Sequence, residues 1–86
     1  EISLYVSPHH QGKGIGKKLM ESILHEGRKN NFHNLVSRIT AENTASIKLH
    51  ECFGFSYAGR IKEVGFKFGR WQDVCFYQLI IPPIDE

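Results

Sequence analysis

Leu4-Tyr5-Val6-Ser7-Pro8-His9-His10-Gln11-Gly12-Lys13-Gly14-Ile15-Gly16-Lys17-Lys18-Leu19-Met20 changes its hydrophobic rhythm half-way along, and that change decides the fold. Before it, Ile2, Leu4 and Val6 alternate with Ser3 and Tyr5, the two-residue period of a strand. Ser7-Pro8 ends that strand. After it, Ile15, Leu19 and Ile23 recur at four-residue spacing with Met20 and Leu24 beside them. Lys17, Lys18, Glu21, Glu26, Arg28 and Lys29 fill most of the remaining positions. This is an amphipathic helix running to Lys29, and Asn30-Asn31 stops it. Between the two lies a polar, glycine-rich turn from His9 to Gly16.

Outward from this passage, Leu35 to Thr40 reads as a second strand. Asn43 or Thr44 can cap a second helix, in which Ala45, Leu49, Cys52 and Phe53 share one face. Gly54 closes it as a left-handed residue. Phe55 to Ala58 starts a third strand, and Gly59 to Glu63 continues it with a bulge. Val64 to Phe68 is apolar and aromatic around Gly65, while Gly69 to Asp73 reads as a loop. Val74 to Ile81 is a strongly apolar strand ended by Pro82-Pro83. The order β-α-β-α-β-β predicts an α/β fold with a mixed sheet, its first two strands parallel across a crossover helix. Glu1 opens inside a strand pattern with no Met and no leader, and a sheet edge left bare there would invite pairing. Both features lead us to expect a piece of a longer protein whose N-terminal half is missing.

Composition narrows the function. The chain has 86 residues, 41% hydrophobic and 23% charged, which allows one domain and argues against a disordered segment. No apolar run approaches the roughly 20 residues of a membrane span. Eleven basic and nine acidic residues leave a net charge of +2, too weak to demand nucleic acid or a membrane surface. Lys13, Lys17, Lys18, Arg28 and Lys29 alone favour a nucleic-acid binder, and acids alternate with them. Cys52 and Cys75 make neither a CxxC pair nor a disulfide framework, so a reducing, cytoplasmic setting is expected. His9, His10, His25, His33 and His50 have no zinc-like spacing, and no metal is expected.

Glycines allow a backbone to approach a ligand closely, and the first amides of a helix lack internal partners at the positive end of its dipole. Gln11-Gly12-Lys13-Gly14-Ile15-Gly16 is thus either a phosphate cradle or a plain tight turn before a helix. It is not a Walker A loop: Gly12 and Gly16 have three residues between them rather than four, and Lys18 stands where Ser or Thr should be. It is not a dinucleotide fingerprint, because Lys17 or Leu19 occupies the third glycine position.

Gln11, Gly14 and Gly16 do fit Gln/Arg-x-x-Gly-x-Gly/Ala, and here the chain resembles the GCN5-related N-acetyltransferases (GNAT), whose pyrophosphate-binding motif this is. Asn43 to Phe55 is similar to that family's second CoA-contacting segment. Its Leu49-His50-Glu51 form, followed by Val64 to Val74, looks like the phosphinothricin acetyltransferase subgroup. Nearly the whole chain is covered, so residues 1–86 would be the C-terminal part of one acetyltransferase domain, with a partial GNAT fold.

The resemblance implies acetyl transfer from acetyl-CoA to the amine of a small amino acid or analogue of the phosphinothricin or methionine sulfoximine type. Leu4, Tyr5 and Val6 would hold the pantetheine arm, with the Val6 amide on the thioester carbonyl. Gln11, Gly12, Lys13, Gly14, Ile15 and Gly16 would hold the pyrophosphate, and Asn43 and Ser46 would add contacts. Glu1 aligns with the subgroup's candidate general base, which must deprotonate the amine, and otherwise is a frayed terminal carboxylate. His50 stands where many members carry a tyrosine thought to protonate the thiolate, and otherwise is a core histidine. Asn43 has two readings, a pantetheine contact or a helix cap. Trp71 and Asp73 would lie near the acceptor and a homodimer contact, or beneath a turn. The competing reading, from another class, is a CoA-binding or dimerising fragment that catalyses nothing because the acceptor half is absent.

Overall fold

The computed structural model describes residues 3–6 and 15–82. β1 (Ser3–Val6), α1 (Ile15–Lys29), β2 (Asn34–Thr40), α2 (Thr44–Cys52), β3 (Ser56–Lys67) and β4 (Arg70–Ile80) follow in the expected order. The strands form one sheet in the order β1-β2-β4-β3. β1 lies parallel to β2, with Leu4 opposite Leu35 and Val6 opposite Ser37. A parallel pair needs a crossover, and α1 supplies it. β4 is antiparallel to both β2 and β3, so the sheet is mixed as the sequence predicts.

β2 alternates strictly: Leu35, Ser37 and Ile39 are buried, and the residues between them are more exposed. Met20 and Leu24 of α1 join Leu35, Ile39, Phe55, Cys75, Tyr77 and Ile81 in the core. The buried stripe of α1 thus runs Met20, Leu24, Gly27, while Leu19 faces solvent. Gly27 is what brings the helix close, since a Cβ there would lie 3.2 Å from Ile81 Cδ1.

Both helices stop by the same device. Past α1, Asn31 adopts φ 60°, its N–H donating to the Arg28 carbonyl (3.2 Å) and that of Phe32 to the Gly27 carbonyl (2.9 Å). Past α2, Gly54 adopts φ 94°, its N–H donating to the Glu51 carbonyl and that of Phe55 to the His50 carbonyl, both at 3.0 Å. These are Schellman closures with Asn and Gly in the left-handed position.

Two expectations need correction. In α2 the buried residues are Ser46 and His50; Ala45 and Cys52 are exposed, and Leu49 and Phe53 half-buried. His50 faces the sheet because the Ser37 hydroxyl waits there, and Ser46 is buried one turn before it. Residues 69–73 are not a loop. β3 and β4 form a long hairpin whose turn is only Phe68 and Gly69, with φ 55° and 76°. Two successive positive φ values are what a type I′ turn requires, and Phe in place of the usual Asn hides it. The expected irregularity of β3 is present, as register shifts between Tyr57 and Gly59 and between Ile61 and Gly65.

Candidate functional site

β1 ends at Val6 and α1 begins at Ile15. Leu4, Tyr5 and Val6 sit opposite Leu35, Val36 and Ser37 of β2. Glu1, Gln11, Gly12, Lys13 and Gly14 lie outside the described residues. The first turn of α1 carries no acidic residue, and Lys17 and Lys18 are exposed there. A helix start with that charge pattern favours an anion. Gly16 packs directly on α2: a Cβ there would meet Leu49 Cδ2 at 3.0 Å. A side chain at position 16 would need Leu49 to give by a few tenths of an ångström.

α2 is capped by Asn43, whose Oδ1 accepts from the Ser46 amide at 3.1 Å. The local reading of Asn43 as a cap is therefore realised. Ser46 is buried, and its Oγ finds no hydrogen-bond partner among the described residues. His50 is fully buried at 0% exposure. Its Nδ1 lies 2.7 Å from the Ser46 carbonyl and its Nε2 2.8 Å from Ser37 Oγ, also at 0% exposure. Phe55 meets the ring edge-on at 4.9 Å. Burial pushes the His50 pKa below its ordinary value, opposed in part by the bond to the Ser46 carbonyl. A carbonyl can only accept, so Nδ1 carries the proton; in the neutral ring Nε2 accepts, and the Ser37 hydroxyl donates. Of the two readings of His50, a thiolate acid or a core histidine, this buried and internally bonded ring has the geometry of the second.

Trp71 and Asp73 stand on β4. Trp71 is 59% exposed and packs edge-on against Phe66 at 5.1 Å. The Asp73 carboxylate accepts from Arg60 Nε at 2.9 Å and from the Glu63 amide at 2.9 Å, and Arg60 Nη2 lies 2.7 Å away. The Glu63 amide first, then Arg60, holds its pKa below the usual range. Glu63 has φ 52°, so Asp73 pins a residue in an uncommon conformation within the bulge. The Asp73 carbonyl also accepts from Ala41 N–H at 2.9 Å, and Arg70 Nη2 pairs with Glu42 at 2.8 Å. These bonds tie the start of β4 to the segment leading into Asn43.

The fold therefore brings Asp73 beside the approach to α2, and α2 against the start of α1, while Trp71 packs with Phe66 on the hairpin. Val6, Ser37 and Tyr77 fall on one rung across β1, β2 and β4. Ser37 was not singled out by sequence reasoning. Its signal is a small hydroxyl in an inward strand position between Leu35 and Ile39, which calls for a buried polar partner. Among the described residues no cluster of three or more His, Cys, Asp or Glu is placed to hold a metal ion.

The family model described as Acetyltransferase (GNAT) family matches residues 1–55. The chain belongs to the GNAT acetyltransferases. It is 47% identical over 79 residues to an L-methionine sulfoximine/L-methionine sulfone acetyltransferase of Salmonella typhimurium, covering 92% of this chain and 46% of that protein. It is 40% identical over 78 residues to a phosphinothricin N-acetyltransferase of Streptomyces coelicolor, covering 91% and 46% respectively. The structure of a GNAT superfamily phosphinothricin acetyltransferase from Sinorhizobium meliloti, in complex with acetyl-CoA, superimposes with a TM-score of 0.77 at 34% identity. That match covers 90% of this chain and 45% of the other. This GNAT chain spans about half the length of the curated relatives it matches.

Proposed function

We propose that residues 1–86 are the C-terminal part of a single acetyltransferase domain and carry its acetyl-CoA-binding core. The protein then transfers acetyl from acetyl-CoA to the amine of a small amino acid or analogue, of the methionine sulfoximine or phosphinothricin type. The observation that carries this reading is a parallel strand, Ser3–Val6, followed by a helix whose first turn lacks any carboxylate and presents Lys17 and Lys18. That charge pattern fits a diphosphate. The relatives named above supply the reaction class and the acceptor chemistry.

Acetyl-CoA supplies the acyl group as a reactive thioester. In this reading the backbone of Leu4 to Val6 holds the arm, Gln11 to Gly16 the diphosphate, and Asn43 and Ser46 the amides between them. Glu1 takes a proton from the acceptor ammonium, and the freed nitrogen attacks the carbonyl. The Val6 amide donates to the carbonyl oxygen as negative charge grows there. The carbon–sulfur bond breaks, and the second proton of the attacking nitrogen passes to the thiolate, leaving the neutral amide and free CoA thiol. Trp71 and Asp73 border the acceptor, with Asp73 acting through the hairpin it pins.

The protein is further proposed to act in the cytoplasm as a homodimer. Cys52 and Cys75 are unpaired, and no helix among the described residues is long and apolar enough to cross a membrane. Exposed Phe66, Phe68 and Trp71 at the tip of the hairpin offer a surface for a second copy. Calorimetric titration with CoA, together with thiol release from acetyl-CoA in the presence of L-methionine sulfoximine or phosphinothricin, tests the activity. Binding with turnover is expected. Binding without turnover would leave a coenzyme-binding module, and absence of binding would remove the reading altogether.

A further inference from the structure

We propose that Ser37 and His50 are a pair of positioning residues, a buried bond that sets β2, the strand paired with the one under the thioester, against α2, and that His50 does not deliver the proton to the leaving thiolate. The proposal rests on the reading of Ser3–Val6 as the strand that receives the coenzyme. Ser37 lies directly opposite Val6 in the parallel ladder. Its Oγ is 2.8 Å from His50 Nε2, and His50 Nδ1 is 2.7 Å from the Ser46 carbonyl one turn back. Ser46 in turn gives its amide to the Asn43 cap. A single line of hydrogen bonds thus runs from the rung carrying Val6 to the first residue before α2. Ser37 and His50 are both at 0% exposure, so any further chain laid over this sheet could only add to their burial.

A ring in this state is a poor proton donor. Its only N–H is held by a carbonyl that cannot move without unwinding a turn of α2, and its other nitrogen already accepts. What it can do is fix distances. A shift of a few tenths of an ångström in the strand that carries an oxyanion amide weakens contacts made in the transition state more than those made to the bound substrate.

The test has two parts. In the unaltered protein, imidazole 15N–1H correlation spectra at neutral pH should show His50 as the Nδ1–H tautomer. The Nε2–H form would overturn the bond pattern and the proposal with it. In the active enzyme, a double-mutant cycle of Ser37→Ala and His50→Gln compares kcat below the melting temperature of every variant. Each single change should lower kcat about tenfold, as expected when one buried bond is lost. The double variant should lose no more than either single one, because the two residues act through one bond. The shape of the kcat–pH profile should be unchanged throughout. If His50→Gln costs far more than Ser37→Ala and flattens the alkaline limb, the proton comes from His50 and the proposal fails. An unaltered enzyme that binds CoA but releases no thiol would overturn the acetyltransferase reading itself, whereas the tautomer bears on the Ser37–His50 bond alone.

Discussion

His50 reports on stability through its charge. Burial holds its pKa below the ordinary 6.5, so unfolding takes up a proton on the acid side of neutrality. The sign follows: the contribution is fully present above pH 6.5, falls as pH drops through that value, and levels off once the folded ring itself protonates. Urea midpoints measured between about pH 8 and about pH 5 should decline toward acid, and His50→Gln should flatten the decline. His50→Ala should cost about 2–4 kcal/mol, from the space vacated and from the buried Ser37 hydroxyl left without a partner. Denaturant melts at neutral pH read that loss directly. The sequence places His50 on a helix and allows it to be a core residue. It does not reveal the neighbour, since Ser37 is thirteen positions away on another element.

At the scale of elements, the motif-bearing segments are legible because their signals are local. The strand before the turn, the helix after it and the stops at Asn31 and Gly54 each follow from a few adjacent residues. Replacing Asn43 by Ala should cost about 1 kcal/mol, read as a lower thermal midpoint. Gly54→Ala should cost about 1 kcal/mol too, because φ 94° is reached readily only without a Cβ. The hairpin is less legible. Phe68 occupies a position that normally announces itself as Asn or Asp, and strands of 12 and 11 residues are interrupted by bulges that break their alternation. Asp73 is the residue that secures the second irregularity. Asp73→Asn should therefore speed amide exchange at Glu63 while leaving global melting almost unchanged, a difference that hydrogen-exchange NMR resolves.

At the scale of the whole molecule, the mixed sheet was legible from the order of elements, because a strand–helix–strand opening needs a right-handed crossover. The exposed aromatic hairpin was not, since exposure depends on what lies over a face rather than on what the face contains. Phe68 is 92% exposed and Trp71 59%. If a second copy covers them, sedimentation should show a concentration-dependent dimer, and Phe68→Ser with Trp71→Ser should shift it to monomer with the melting temperature little changed.

The sheet order has one more consequence. β3 is tied to β4 by a two-residue turn, whereas among the described residues β1 pairs only with β2, through four residues. A strand held by four residues on one side is the first to detach. Ser3–Val6 should accordingly be the earliest lost, so that a coenzyme seated along it would slow its opening more than that of any inner strand.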